Sequence, residues 1–117
     1  MSRDAPPLTT IAECVAVYRN ASRALHRHGR SRSQAEAQGG RVLATYNHLV
    51  HLLALARESL VELGQARVAQ MLWEEHLLRY QPDTSYRAAG LDARARVIRN
   101  VLRADRAARD DRKANHG

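Results

Sequence analysis

The sequence predicts an all-α protein, a compact bundle of four helices, and three observations lead there. Good helix formers, Ala, Leu, Arg, Glu and Gln, dominate the 117 residues. No segment alternates apolar and polar residues as a half-buried strand would. One stretch, Val42, Tyr46, Leu49, Leu53, Ala56, Leu60 and Leu63, sets apolar residues four and three apart without a miss. With 44% hydrophobic residues, a chain of this length can hide about two-thirds of its surface and is expected to form one core. The predicted organisation is a disordered N-terminus over residues 1–9, a single helical domain over 10–109 and a frayed tail over 110–117.

After Pro6 and Pro7, Thr10 and Glu13 have the spacing of a capping box, in which the hydroxyl accepts an orphan N–H and the carboxylate reaches back. The first helix should start there. Ile11, Cys14, Val15, Tyr18, Ala21 and Leu25 would be its inward stripe, and Gly29 its stop. From Gly29 to Gly40 no large apolar residue occurs, which predicts a basic, flexible connection with nothing to bury. Ser33 and Glu36 also have capping-box spacing, so the second helix starts either at Ser33 or, the favoured reading, near Arg41.

Leu43, Val50 and Leu52 widen the seam of the second helix, which places it at the centre of the bundle, and Gly64 ends or kinks it. The same seam would suit a homodimer through the second and third helices. The third helix should run from about Gln65 to Tyr80 and stop before Pro82. The fourth is clearest from Leu91 or Asp92 to about Arg109, with Asp83 or Thr84 able to cap an earlier start.

Charge is unevenly placed on a chain of formal net charge +7. Residues 19–41 carry six arginines against Glu36, and residues 84–117 carry eight arginines and Lys113 against four aspartates. The segment between them is mildly acidic. Arg19, Arg23 and Arg27 recur every four residues and share a helix face, and Arg30 and Arg32 continue the run. Arg96, Arg99, Arg103 and Arg106 fall within an arc of about 80° at 100° per residue, beside an apolar arc of Val97, Ile98, Val101 and Leu102. Guanidinium forks pair bidentately with phosphate oxygens, so these nine arginines are the candidate contact residues for nucleic acid or for an acidic protein surface. The plain alternative is a solvated basic surface, since Asp92 with Arg96 and Asp105 with Arg109 are ordinary helix ion pairs.

Other constellations point less far. Ala89, Gly90 and Leu91 could be the turn of a helix-turn-helix, but Tyr86 stands where a small residue belongs. His48 and His51 share a face, and His26 and His28 lie near the end of the first helix, without carboxylate or thiol at metal-ligand spacing, so no metal or other cofactor is expected. Glu74, Glu75 and His76 do not form the zinc-protease pattern. Cys14 reads as a small core hydrophobe. Trp73 is either a core wedge or an interface anchor. Scattered aromatics and the absence of Phe disfavour base-stacking modules.

No secretory pattern opens the chain, and the longest apolar run, Leu52 to Ala56, is far short of a span, so a cytoplasmic protein without membrane contact is expected. Glycine-rich phosphate loops, nucleophile elbows and paired catalytic carboxylates are missing, so an enzyme is not expected. The first functional expectation is a small non-enzymatic protein that binds nucleic acid through its arginine clusters. The alternative is a protein-binding adaptor or inhibitor, of the kind a phage or mobile element encodes against a host nucleic-acid-handling or defence complex.

Overall fold

A computed structural model describes the backbone of residues 8–116 and the side chains of residues 8–114. Of the expected disordered start, residues 1–7 lie outside the described residues. Five helices and no strand occur among those described: α1 Ile11–His28, α2 Arg32–Gln38, α3 Gly40–Glu62, α4 Ala66–Leu78 and α5 Ser85–His116. The protein is all-α, with a short extra helix beside the four expected. It divides into two compact units, Met1–Ala66 and Arg67–Gly117.

In the first unit the capping box forms as the spacing requires. Glu13 N donates to Thr10 Oγ1 at 3.0 Å, and Glu13 Oε1 accepts from Thr10 N at 3.1 Å. The same Oε1 accepts from the N–H and hydroxyl of Thr9, and these bonds, led by the hydroxyl, hold the Glu13 carboxyl below its ordinary range. Leu8 N donates to Ser59 Oγ at 3.3 Å. Ile11, Cys14, Val15, Tyr18, Ala21, Ser22 and Leu25 are all buried, so α1 presents the predicted stripe plus one serine. Burial pushes the Cys14 thiol up, as suits an inert hydrophobe. Gly29 closes the helix in the left-handed region at φ 67°.

The connection is not the structureless segment expected. Ser31, rather than Ser33, caps α2: Gln34 N donates to Ser31 Oγ and Ser31 N to Gln34 Oε1. Ala35, fully buried, is the anchor, and a methyl group suffices because α2 packs closely on α3. Glu36 instead reaches Arg32 at 3.7 Å. Gly39, at φ 66° and ψ −163°, separates α2 from α3, so the second long helix starts beside Arg41 and not at Ser33.

The seam of α3 is buried at one end alone. Ala56, Ser59 and Leu60 are enclosed, Val42, Tyr46, Leu49 and Leu53 are half-buried, and Leu63 is exposed. Within this unit α3 packs against both α1 and α2, and α1 runs along it from Ser59, which accepts from Leu8 N, back to Tyr46, whose ring lies 5.9 Å from that of His28.

In the second unit α4 stops at Leu78, ahead of Pro82, and Thr84 caps α5 by accepting from Arg87 N at 3.2 Å. The helix then passes through Ala89, Gly90 and Leu91 without a break, which removes the helix-turn-helix reading. It continues past Arg109 to His116. Val68, Ala69, Leu72 and Ile98 form the buried apolar set.

Gly90 explains how α4 and α5 approach. A Cβ there would lie 3.2 Å from Leu78 Cδ1. Four residues on, Arg94 Nε donates to Glu74 Oε1 at 2.8 Å. The two contacts set an antiparallel register that brings Arg67, at the start of α4, opposite about residue 101. At 1.5 Å per residue α4 is about 20 Å long and α5 about 48 Å. Nearly half of α5 thus outruns α4. No described helix is long and apolar enough to cross a membrane.

Candidate functional site

Each unit carries one of the two arginine clusters. In the first, the four-residue spacing places Arg19, Arg23 and Arg27 on one side of α1, away from the buried stripe. Arg19 is half-buried, whereas Arg23 and Arg27 are exposed and have no carboxylate partner among the described residues. Arg30 is exposed and donates from Nη1 to the His28 carbonyl at 3.4 Å. Arg32 is engaged by Glu36, although both side chains remain mostly in solvent.

On α5 the arginines divide by direction. Arg94 and Arg109 lie off the predicted arc, and both are engaged: Arg94 with Glu74, and Arg109 Nε with Asp105 at 3.0 Å. Arg96, Arg99, Arg103 and Arg106 lie on the arc, and all four are exposed. Arg96 makes a loose pair with Asp92 at 3.5 Å, in which both side chains are about two-thirds exposed and little is gained. Arg99, Arg103 and Arg106 have no carboxylate partner among the described residues. They form a ridge of uncompensated positive charge along two turns of a helix that is fixed in the fold by Ile98 on its other side.

Two features of the ridge were not read from the sequence. Asp92 and Asp110 fall on the same arc at 100° per residue, one before the arginines and one after, so carboxylates bound the ridge at both ends. The signal was the repeat of the seam spacing, carried on past the last arginine. Along the neighbouring arc lie Ala93, Asn100, Ala104 and Ala107, all exposed and all short.

Trp73 is not enclosed in the core. It is 44% exposed, as is Leu77, and Tyr80 is 60% exposed. The indole stacks on the buried His76 ring at 5.8 Å and 26°, and His76 meets Tyr80 edge-on at 5.2 Å. Leu77 and Tyr80 follow Trp73 at four and seven residues, so the three make an apolar row that begins on α4 and ends in the turn just past it. That row was legible in the spacing; its exposure was not, since a buried stripe has the same period.

No group of three or more His, Cys, Asp or Glu able to hold a metal occurs among the described residues. What the arrangement can do chemically is bind an extended anion along a straight line of guanidinium groups. The chain is thus defined as an all-α protein with an uncompensated arginine ridge. No family model, curated protein or solved structure matches it.

Proposed function

We propose that this protein is a non-enzymatic nucleic-acid-binding protein that contacts backbone phosphates through Arg99, Arg103 and Arg106 on α5, with Arg96 at the edge of the ridge. Arg19, Arg23, Arg27, Arg30 and Arg32 supply a second patch from the end of α1 and α2. One observation carries the reading: Arg94 and Arg109, which the fold pairs with Glu74 and Asp105, lie off the ridge, while Arg99, Arg103 and Arg106 on it face solvent without a carboxylate partner among the described residues. Guanidinium groups left so are suited to an external counter-charge, and each phosphate neutralised releases condensed counterions.

The test is binding of a labelled oligonucleotide across a salt series. Engagement of three or four phosphates gives a log–log slope of about −3, and an affinity that does not change between about 50 and 200 mM salt overturns the reading.

The row Trp73, Leu77 and Tyr80 favours a second reading, a protein-binding adaptor or inhibitor that docks on an acidic partner surface. Under it the purified chain retards no nucleic acid, and replacing Trp73 by Ala releases one stoichiometric protein partner. A homodimer through α3 and α4 belongs to the same reading, and sedimentation of the free chain over a range of concentrations checks it.

A further inference from the structure

We infer that the ligand of the α5 ridge is double-stranded DNA, held with the ridge lying along the major groove. The inference rests on the proposed binding of phosphates and deepens it. The ridge is rigid: Arg96 to Arg106 stand on one continuous helix, ten residues and so about 15 Å apart along its axis. A rigid line of charges matches a backbone whose phosphates are themselves at fixed spacing, and 15 Å corresponds to about four or five base-pair steps of B-form duplex. Asp92 and Asp110 on the same arc close the footprint at that length, because a carboxylate beside a phosphate repels it.

The surroundings of the ridge favour a duplex over a single strand. Single strands are held by aromatic side chains on which unpaired bases stack. The aromatic residues of this unit are Trp73 and Tyr80 on α4 or just beyond it, and Tyr86, which stands ten residues, about 15 Å along the axis, ahead of Arg96. In place of aromatics the ridge is flanked by Ala93, Asn100, Ala104 and Ala107, exposed residues too short to hold the helix away from a groove wall. An α-helix about 10–12 Å across fits the major groove of B-form DNA, about 12 Å wide, whereas the major groove of A-form RNA is too narrow to be read this way. Within its unit α4 leaves the end of the ridge clear, since the register brings its first residues opposite about residue 101, ahead of Arg103 and Arg106.

The experiment measures, by fluorescence anisotropy with the full chain at low salt, binding to four probes of one sequence about 20 nucleotides long: duplex DNA, single-stranded DNA, duplex RNA and single-stranded RNA. Duplex DNA is expected to bind at least about tenfold more tightly than each of the others, and R99Q/R103Q/R106Q to lose at least about thirtyfold on it. Circular dichroism of that variant confirms that the helices persist, as exposed positions predict. Single strands bound as tightly as duplex DNA overturn the duplex inference while the phosphate reading stands. Duplex RNA bound as tightly as duplex DNA overturns the groove assignment. A folded triple variant with unchanged affinity removes the ridge from the interface, and failure of all four probes to bind overturns the proposed function itself.

Discussion

Arg94 donates from Nε to a carboxylate oxygen of Glu74 at 2.8 Å, tying α5 to α4 across twenty residues of chain. Its Nη1 donates at the same time to the Gly90 carbonyl at 2.9 Å. Glu74 is held below the ordinary carboxylate range by the hydrogen bond from Gln70 first and by that from Arg94 next. Both side chains are about 30% exposed, so solvent screens the pair and its contribution is of order 1 kcal/mol. Arg94→Gln is expected to lower the unfolding free energy by about that amount in a urea titration. The substitution removes the same charge as Arg103→Gln but lies off the ridge, so the affinity for duplex DNA should stay within about twofold, whereas Arg103→Gln lowers it more.

Gly90 lies inside a helix, where glycine costs about 1 kcal/mol relative to alanine. The methyl group of alanine would meet Leu78 Cδ1 at 3.2 Å, the far end of a half-buried and rotatable side chain. Gly90→Ala is therefore expected to raise stability by about 0.5 kcal/mol, and Gly90→Val, with branches that press further into Leu78, to lower it. Thermal melting of the two variants gives shifts of opposite sign.

Gly39 has a φ of 66° with ψ at −163°, a combination that is essentially closed to side-chain-bearing residues. Gly39→Ala is expected to cost about 1–3 kcal/mol, or to merge α2 and α3 into one helix and withdraw Ala35 from its packing. Either result appears as a lower midpoint in thermal unfolding.

The capping box predicts a dependence on pH. The Glu13 carboxyl is lowered in the folded chain from an ordinary value of 4.5, chiefly by the Thr9 hydroxyl. Its contribution is fully present above that value and is lost as pH falls through the lower, folded one. Glu74 acts in the same direction. Stability should therefore decline as the solution is acidified below about pH 4.5, and Glu13→Gln, whose amide oxygen can still accept the N–H groups, should flatten part of that decline. An unchanged acid profile in the variant would show that Glu13 titrates alike in both states.

Asp110 closes the ridge, and its removal should open it. Asp110→Asn is expected to raise the affinity for duplex DNA by about two- to threefold at low salt, with a smaller gain at high salt where the repulsion is screened.

Most of the helices were legible because their signals are local. Thr10 with Glu13, Gly29, Gly64, Pro82 and Thr84 each act within a few residues of themselves, and each marks a boundary as expected. The connection was misread because its anchor is Ala35, a residue whose methyl group carries no hydrophobic signal until another helix is close enough to enclose it. The uninterrupted course of α5 was misread for a related reason: Gly90 serves the approach of Leu78, a contact made across the chain and not along it.

The sequence by itself determined that the chain is helical, where its long helices are capped, and that arginines recur on one face of the last of them. Helical periodicity and end-capping depend on neighbours within one or two turns, so no folded partner is needed to read them. The tertiary structure decided which arginines are engaged: Arg94 found Glu74 on another helix, while Arg99, Arg103 and Arg106 were left facing solvent. It decided equally that Ala35 is enclosed and Trp73 is not. Burial and charge pairing are set by what lies opposite in space, and a one-dimensional pattern does not contain that distance.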